Sequence, residues 1–174
     1  MKHKTLIGVL VLLLLALPAL AVDETDNSEA GASKNGSGLP IPRFASLRAS
    51  DVNLRTGPGI RYPIEWVFTH QGMPVEITAE YEMWRKVRDV EGDEGWVHRN
   101  ALSGKRYAIV TGSMHELRDD NNDRAAVVAH LQAGAIGQLL SCGKDWCKLK
   151  FKGGIKGYLR KTDFWGVYDT ETFG

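Results

Sequence analysis

Residues 52–59 read VNLRTGPG, and residues 115–122 read HELRDDNN. Both hold a Leu-Arg pair, at 54–55 and 117–118, but only the first follows it with a Gly-Pro-Gly turn. Working outward, one offset relates two long stretches of chain. At 63 positions, Arg43-Phe44-Ala45 falls on Arg106-Tyr107-Ala108, and Arg61 on Arg124. After a one-residue deletion the offset is 62. Gly72 then meets Gly134, Ile77 meets Leu139, and Trp84-x-Lys86-Val87 meets Trp146-x-Lys148-Leu149. Gly95-Trp96-Val97-His98 likewise meets Gly157-Tyr158-Leu159-Arg160. An offset sustained over this distance marks a duplication, with units at 43–104 and 105–166 and a tail at 167–174.

Inside each unit the hydrophobic period is two. WRKVRDV at 84–90 sets Val87 against an opposite face of Trp84, Lys86 and Arg88. CKLKFK at 147–152 sets Cys147, Leu149 and Phe151 against Lys148, Lys150 and Lys152. Gly-rich EGDEG and GGIKG follow as turns, and Val75–Thr78 is a short β-branched run. Alternation broken by glycines predicts strands and hairpins, and several short strands per unit predict a small, strongly bent barrel. A helix over RAAVVAHL at 124–131 is opposed by the repeat, whose matching segment contains Pro63.

These residues resemble the bacterial SH3-type (SH3b-like) domain in two copies. The resemblance rests on VNLRTGPGIRYP at 52–63, WRKV at 84–87 and GWVHRNAL at 95–102; the second unit keeps ELR, WCKL and GYLR but departs at the opening turn. It implies an all-β fold of two tandem five-stranded SH3-like barrels. It also implies a class of exported proteins that bind cell-wall material or peptides and perform no chemistry. In that resemblance the Trp84 and Trp146 positions line a peptide groove. Arg55, Tyr62, Trp66 and Trp96 are then further ligand-binding candidates in the first unit, and Arg118 and Tyr158 in the second. Barrel capping is the competing role for the aromatics, because small barrels need large rings to cover their cores.

The N-terminus places Lys2 and Lys4 before an apolar run from Leu6 to Leu17, then Pro18 and Ala19-Leu20-Ala21. This three-part layout predicts a signal peptide over 1–21, cleaved after Ala21, and hence a secreted or periplasmic protein. A membrane anchor would need roughly 20 apolar residues, so no transmembrane segment is expected after cleavage. Residues 22–42 are acidic and polar with no large apolar side chain before Leu39, which predicts a disordered linker.

Without residues 1–21 the chain carries 20 Lys and Arg against 21 Asp and Glu, a balance that argues against a nucleic-acid partner. The units differ, however: 8 basic against 9 acidic residues over 43–104, but 11 against 6 over 105–165. Lys148, Lys150, Lys152 and Lys156, with Arg160 and Lys161 close by, form a basic hairpin face suited to an acidic partner or to guarding a solvated edge.

Sites for chemistry fail one by one. The Gly-Pro-Gly turn lacks the following helix of a phosphate loop, since Pro63 intervenes. DDNND at 119–123 begins like a calcium loop, but Arg124 stands where Gly is needed and His130 where Glu is needed. His98 reads as a solvated strand-end residue. Cys142 and Cys147 flank a four-residue turn, and an even cysteine count in an exported chain predicts a disulfide between them, opposite in register as Glu80 and Arg85 are in the first unit. No catalytic dyad, metal cluster or cofactor fingerprint is visible. The expectation is a non-enzymatic module without cofactor. Its partner is peptidoglycan or a cell-wall peptide, or else an envelope protein gripped by an adaptor. A targeting partner of a separate wall hydrolase is a further alternative.

Overall fold

The computed structural model describes residues 36–174. The expected leader, its cleavage point and the linker up to residue 35 lie outside the described residues. The first unit contains β1 (Arg43–Leu47), β2 (Val52–Arg55), β3 (Ile64–Phe68), β4 (Pro74–Tyr81), β5 (Trp84–Arg88), β6 (Glu94–His98) and β7 (Leu102–Ser103). The second repeats it with β8 (Tyr107–Val110), β9 (His115–Arg118), β10 (Val127–Leu131), β11 (Ile136–Cys142), β12 (Trp146–Lys150), β13 (Lys156–Arg160) and β14 (Phe164–Trp165). The sheet orders are β3-β2-β6-β5-β4-β1-β7 and β10-β9-β13-β12-β11-β8-β14. The all-β tandem architecture is as expected, and Arg124–Leu131 holds a turn and β10 with no helix.

Each sheet has seven strands where five were expected. Legs β3 and β10 flank the long loop that follows the Leu-Arg pair, and β7 and β14 are two residues long, too short to leave a periodic trace.

Every strand of the first sheet contributes to one cluster, including Leu47, Leu54, Phe68, Val75, Val87, Val97 and Leu102, so the sheet must curl around it. The second core matches it position for position with Leu117, Leu149 and Leu159, all fully buried. Truncating any of these to Ala costs about 2–5 kcal/mol. Close packing also explains Gly95 and Gly157. A Cβ at Gly95 would lie 2.5 Å from Leu54 Cγ, and one at Gly157 would lie 2.6 Å from Leu117 Cγ.

The two barrels touch. Phe44 of β1 meets Trp165 edge-on at 4.8 Å and Tyr168 at 4.7 Å. The Tyr107 amide donates to Ser46 Oγ at 3.2 Å. The tail runs back along the second barrel, where Phe173 exchanges two backbone hydrogen bonds with Cys142. On the way, the Tyr168 hydroxyl donates to Glu76 of the first barrel at 2.8 Å. Burial, then this bond to a carboxylate, pushes the Tyr168 phenol well above its ordinary range. Lys161 is buried, and its Nζ donates to the carbonyls of Asp169 and Glu171 at 2.8 and 2.7 Å. It therefore anchors the tail and does not belong to the basic surface.

Residues 37–42, which the composition places in the linker, contact the first barrel. Ser37 Oγ donates to Glu80 at 2.8 Å, and Ile41 packs against the first core. These contacts order the last residues before β1.

Candidate functional site

The loop after each Leu-Arg pair is tied by the arginine. Arg55 Nη1 donates to the carbonyls of Ile60 and Tyr62 at 3.2 and 2.7 Å. Arg118 Nη1 does the same to Ala125 at 2.7 Å, and Ala125 is the counterpart of Tyr62. The shared Leu thus serves the core and the shared Arg closes its own loop. Gly57 is required because the Tyr62 ring lies on it, and a Cβ there would sit 2.4 Å from Cδ1.

Between that loop and the β5–β6 hairpin lies a groove of 380 Å³. Trp84, His98, Ile60, Asn53, Arg55 and Arg48 are among its lining residues. Trp84 is half-buried and meets His98 edge-on at 5.4 Å, because the two are direct partners across β5 and β6. Ile60 stands 84% exposed at the groove, an apolar side chain with no cover of its own. An aromatic ring, an apolar lip and an imidazole in an open trough can hold a short chain with alternating apolar and polar groups. Ser50 and Asp51 also line the groove, and the His98 ring accepts a hydrogen bond from the Asn100 amide.

The other first-barrel candidates sit elsewhere. Trp66 packs against the core, edge-on to Phe68 at 6.4 Å, as barrel cover. Tyr62 lies on its own loop with Arg61 at 5.3 Å. Trp96 pairs with Lys86 and Arg55 across the ladder and does not line the groove. His98, Ile60 and Asn53 escape sequence reasoning. The only available signal was the register that sets His98 opposite Trp84.

In the second barrel the equivalent positions are bridged by an ion pair. Ile60 is replaced by Asp123 and His98 by Arg160. Arg160 Nε donates to Asp123 at 3.1 Å, and its guanidinium lies over the Trp146 ring at 4.6 Å. Trp146 also lines a separate polar depression of 460 Å³, with Lys148, Tyr158, Asn121 and the 141–145 turn. Lys148 Nζ sits 5.3 Å from the Tyr158 ring centroid.

One register position is cross-linked in both barrels by different chemistry. In the second, Cys142 and Cys147 are cross-strand partners joined by a disulfide. In the first, Glu80 and Arg85 are partners in a buried ion pair at 3.0 Å, joined by Arg43. Burial alone would raise the Glu80 carboxyl. Hydrogen bonds from Arg43 and Ser37 outweigh it and hold the group at about 2.

The basic hairpin differs from its counterpart by two lost acids. In the first barrel Arg88 lies between Glu76 and Glu94. In the second the same places hold Gln138, Lys150 and Lys156, so two lysines face each other across the ladder. Like charges directly opposite are destabilising unless something neutralises them. Lys150, Lys152 and Lys156 are exposed, whereas Arg160 is engaged with Asp123.

Among the described residues, one carboxylate trio has metal-like spacing, Asp89, Glu91 and Asp93. Asp89 Oδ1 already accepts from the Glu91 and Asp93 amides at 3.0 and 2.9 Å, the pattern of a capped turn. DDNND is likewise a turn, with Asn122 Oδ1 accepting from the Arg124 amide at 3.0 Å. Among the described residues, no helix is long and apolar enough to cross a membrane.

Comparison with curated proteins gave no match. Among solved structures, NlpC1 from Trichomonas vaginalis aligns over 76% of this chain and 49% of its own, at 12% identity and a TM-score of 0.34. An NlpC/P60 family protein from Bacillus cereus aligns over 71% and 56%, at 17% identity and a TM-score of 0.32. The chain spans about half the length of these structures. The family description "Bacterial SH3 domain" matches residues 48–104 and again 112–166, the two barrels seen here. The chain belongs to the bacterial SH3 domain family, with two copies of the domain in tandem.

Proposed function

We propose that this is an exported, non-enzymatic binding protein whose first barrel takes a peptide of the cell envelope, or the peptide part of peptidoglycan, in the Trp84 groove. The observation that carries this reading is the contrast between the copies. In the first, Ile60 and His98 stand beside Trp84 in a groove; in the second, the equivalent Asp123 and Arg160 pair with each other and Arg160 lies over Trp146. An open aromatic trough on a barrel that has no catalytic pair suits recognition. The basic hairpin of the second barrel adds attraction to an acidic envelope.

The test is sedimentation with purified cell-wall sacculi. The wild-type chain pellets with the wall, and Trp84→Ala loses about 2 kcal/mol of binding, the scale of an anchoring tryptophan. Trp146→Ala leaves pelleting unchanged, because the Arg160 guanidinium already occupies a face of its ring. Wild-type protein that stays in the supernatant, or Trp84→Ala that pellets as well as wild type, overturns the reading.

A further inference from the structure

A second trough lies where the barrels meet. It measures 860 Å³ and draws its walls from both domains. Leu131, Ile136 and Phe151 give it an apolar floor, and Lys150 and Lys152 stand on its rim. Thr69, His70 and Gln71 of the first barrel face Gln138 of the second. The lining contains no Asp or Glu. Its mouth is the edge of the hairpin that lost both acids, so Lys150 lies between Gln138 and Lys156. Ile155, 46% exposed at the hairpin tip, extends the apolar floor outward.

We propose that this inter-barrel cleft binds an extended acidic peptide, apolar side chains on the floor and carboxylates on Lys150 and Lys152. The chemistry selects among anions. A bare polyanion would leave the half-buried Ile136 and the exposed Ile155 without an apolar partner. An acyl chain would leave the half-buried Gln138 amide unsatisfied and the Lys150 and Lys152 charges without a counter-ion. A peptide uses all three groups, because its backbone offers donors and acceptors between its side chains. The site is separate from the Trp84 groove and stands whether or not that groove binds the wall.

The probe is a fluorescein-labelled octapeptide of alternating Glu and Leu, read by anisotropy. The wild-type chain binds it, more weakly as salt rises. The exposed Lys150→Glu, Lys152→Glu double variant binds at least about tenfold more weakly, since like charges then face the ligand. Lys150→Gln with Lys152→Gln gives an intermediate loss. Unchanged near-ultraviolet circular dichroism confirms that these variants fold. Trp84→Ala binds as wild type does. The proposal is overturned by no binding of the octapeptide or by equal binding of its Gln-Leu analogue. Affinity within about twofold of wild type in the charge-reversed variant, or loss of binding in Trp84→Ala, also overturns it. So does capture by phosphatidylglycerol vesicles in preference to the peptide.

Discussion

Replacing Glu80 with Gln tests whether a buried ion pair holds the first barrel at the position a disulfide holds in the second. Glu80 and Arg85 are 4% and 5% exposed at the side chain, so solvent screens the pair little. Against its burial, hydrogen bonds from Arg43 and Ser37 lower the carboxyl from 4.5 to about 2 in the fold. A shift of that size corresponds to about 3 kcal/mol of stability at neutral pH. Because the folded value is the lower one, the contribution is complete above about pH 5. It falls to about 1 kcal/mol by pH 3 and vanishes as the folded carboxyl itself protonates. Glu80→Gln removes the titration and leaves Arg85 buried beside a neutral amide, a loss of about 3–5 kcal/mol at pH 7. Urea unfolding followed by tryptophan fluorescence, run on both proteins from pH 7 to pH 2, reads the difference directly. The gap between them should shrink steadily below pH 5, whatever the other carboxylates do to both curves. A gap that is absent at pH 7, or one that stays constant to pH 2, refutes the reasoning.

Three further outcomes follow from named contacts. Tyr168→Phe leaves Glu76 one donor short across the barrel interface, costing about 1–3 kcal/mol in chemical denaturation and separating the unfolding of the two barrels into distinct transitions. Reducing Cys142–Cys147 destabilises the second barrel by at most about 2–3 kcal/mol, because the loop it closes is short, and leaves the Glu80-dependent transition of the first in place. Asp123→Ile with Arg160→His transplants the lip and imidazole of the open groove; it uncovers Trp146, and iodide quenching of fluorescence rises relative to wild type.

The fold was legible because the duplication sampled one pattern twice. Leu54 and Leu117, Val87 and Leu149, and Val97 and Leu159 share an offset and a period, and both follow from core packing. The cysteine bridge was legible for the same reason, since Glu80 and Arg85 marked the register. The groove was legible at Trp84 and Arg55. Alternation tells which way a side chain points but not which distant loop rises beside it, so Ile60 left no trace and His98 read as a solvated strand end. Arg55 and Arg118 stood out as shared residues, yet their partners are backbone carbonyls, and a carbonyl has no sequence signature. Lys161 looked like surface charge for a related reason: its two acceptors are main-chain oxygens of the tail.

The clasp made by Phe44, Trp165 and Tyr168 fixes the distance between the Trp84 groove and the inter-barrel cleft. Two sites on a loose tether accept any ligand that reaches both; two sites on a clasped pair accept only ligands whose own spacing matches. Where the spacing matches, the second contact forms at high effective concentration and multiplies a weak first contact. With both proposed sites engaged, this clasp would act as a ruler, rewarding a repetitive target of one period over isolated copies of the same chemical group.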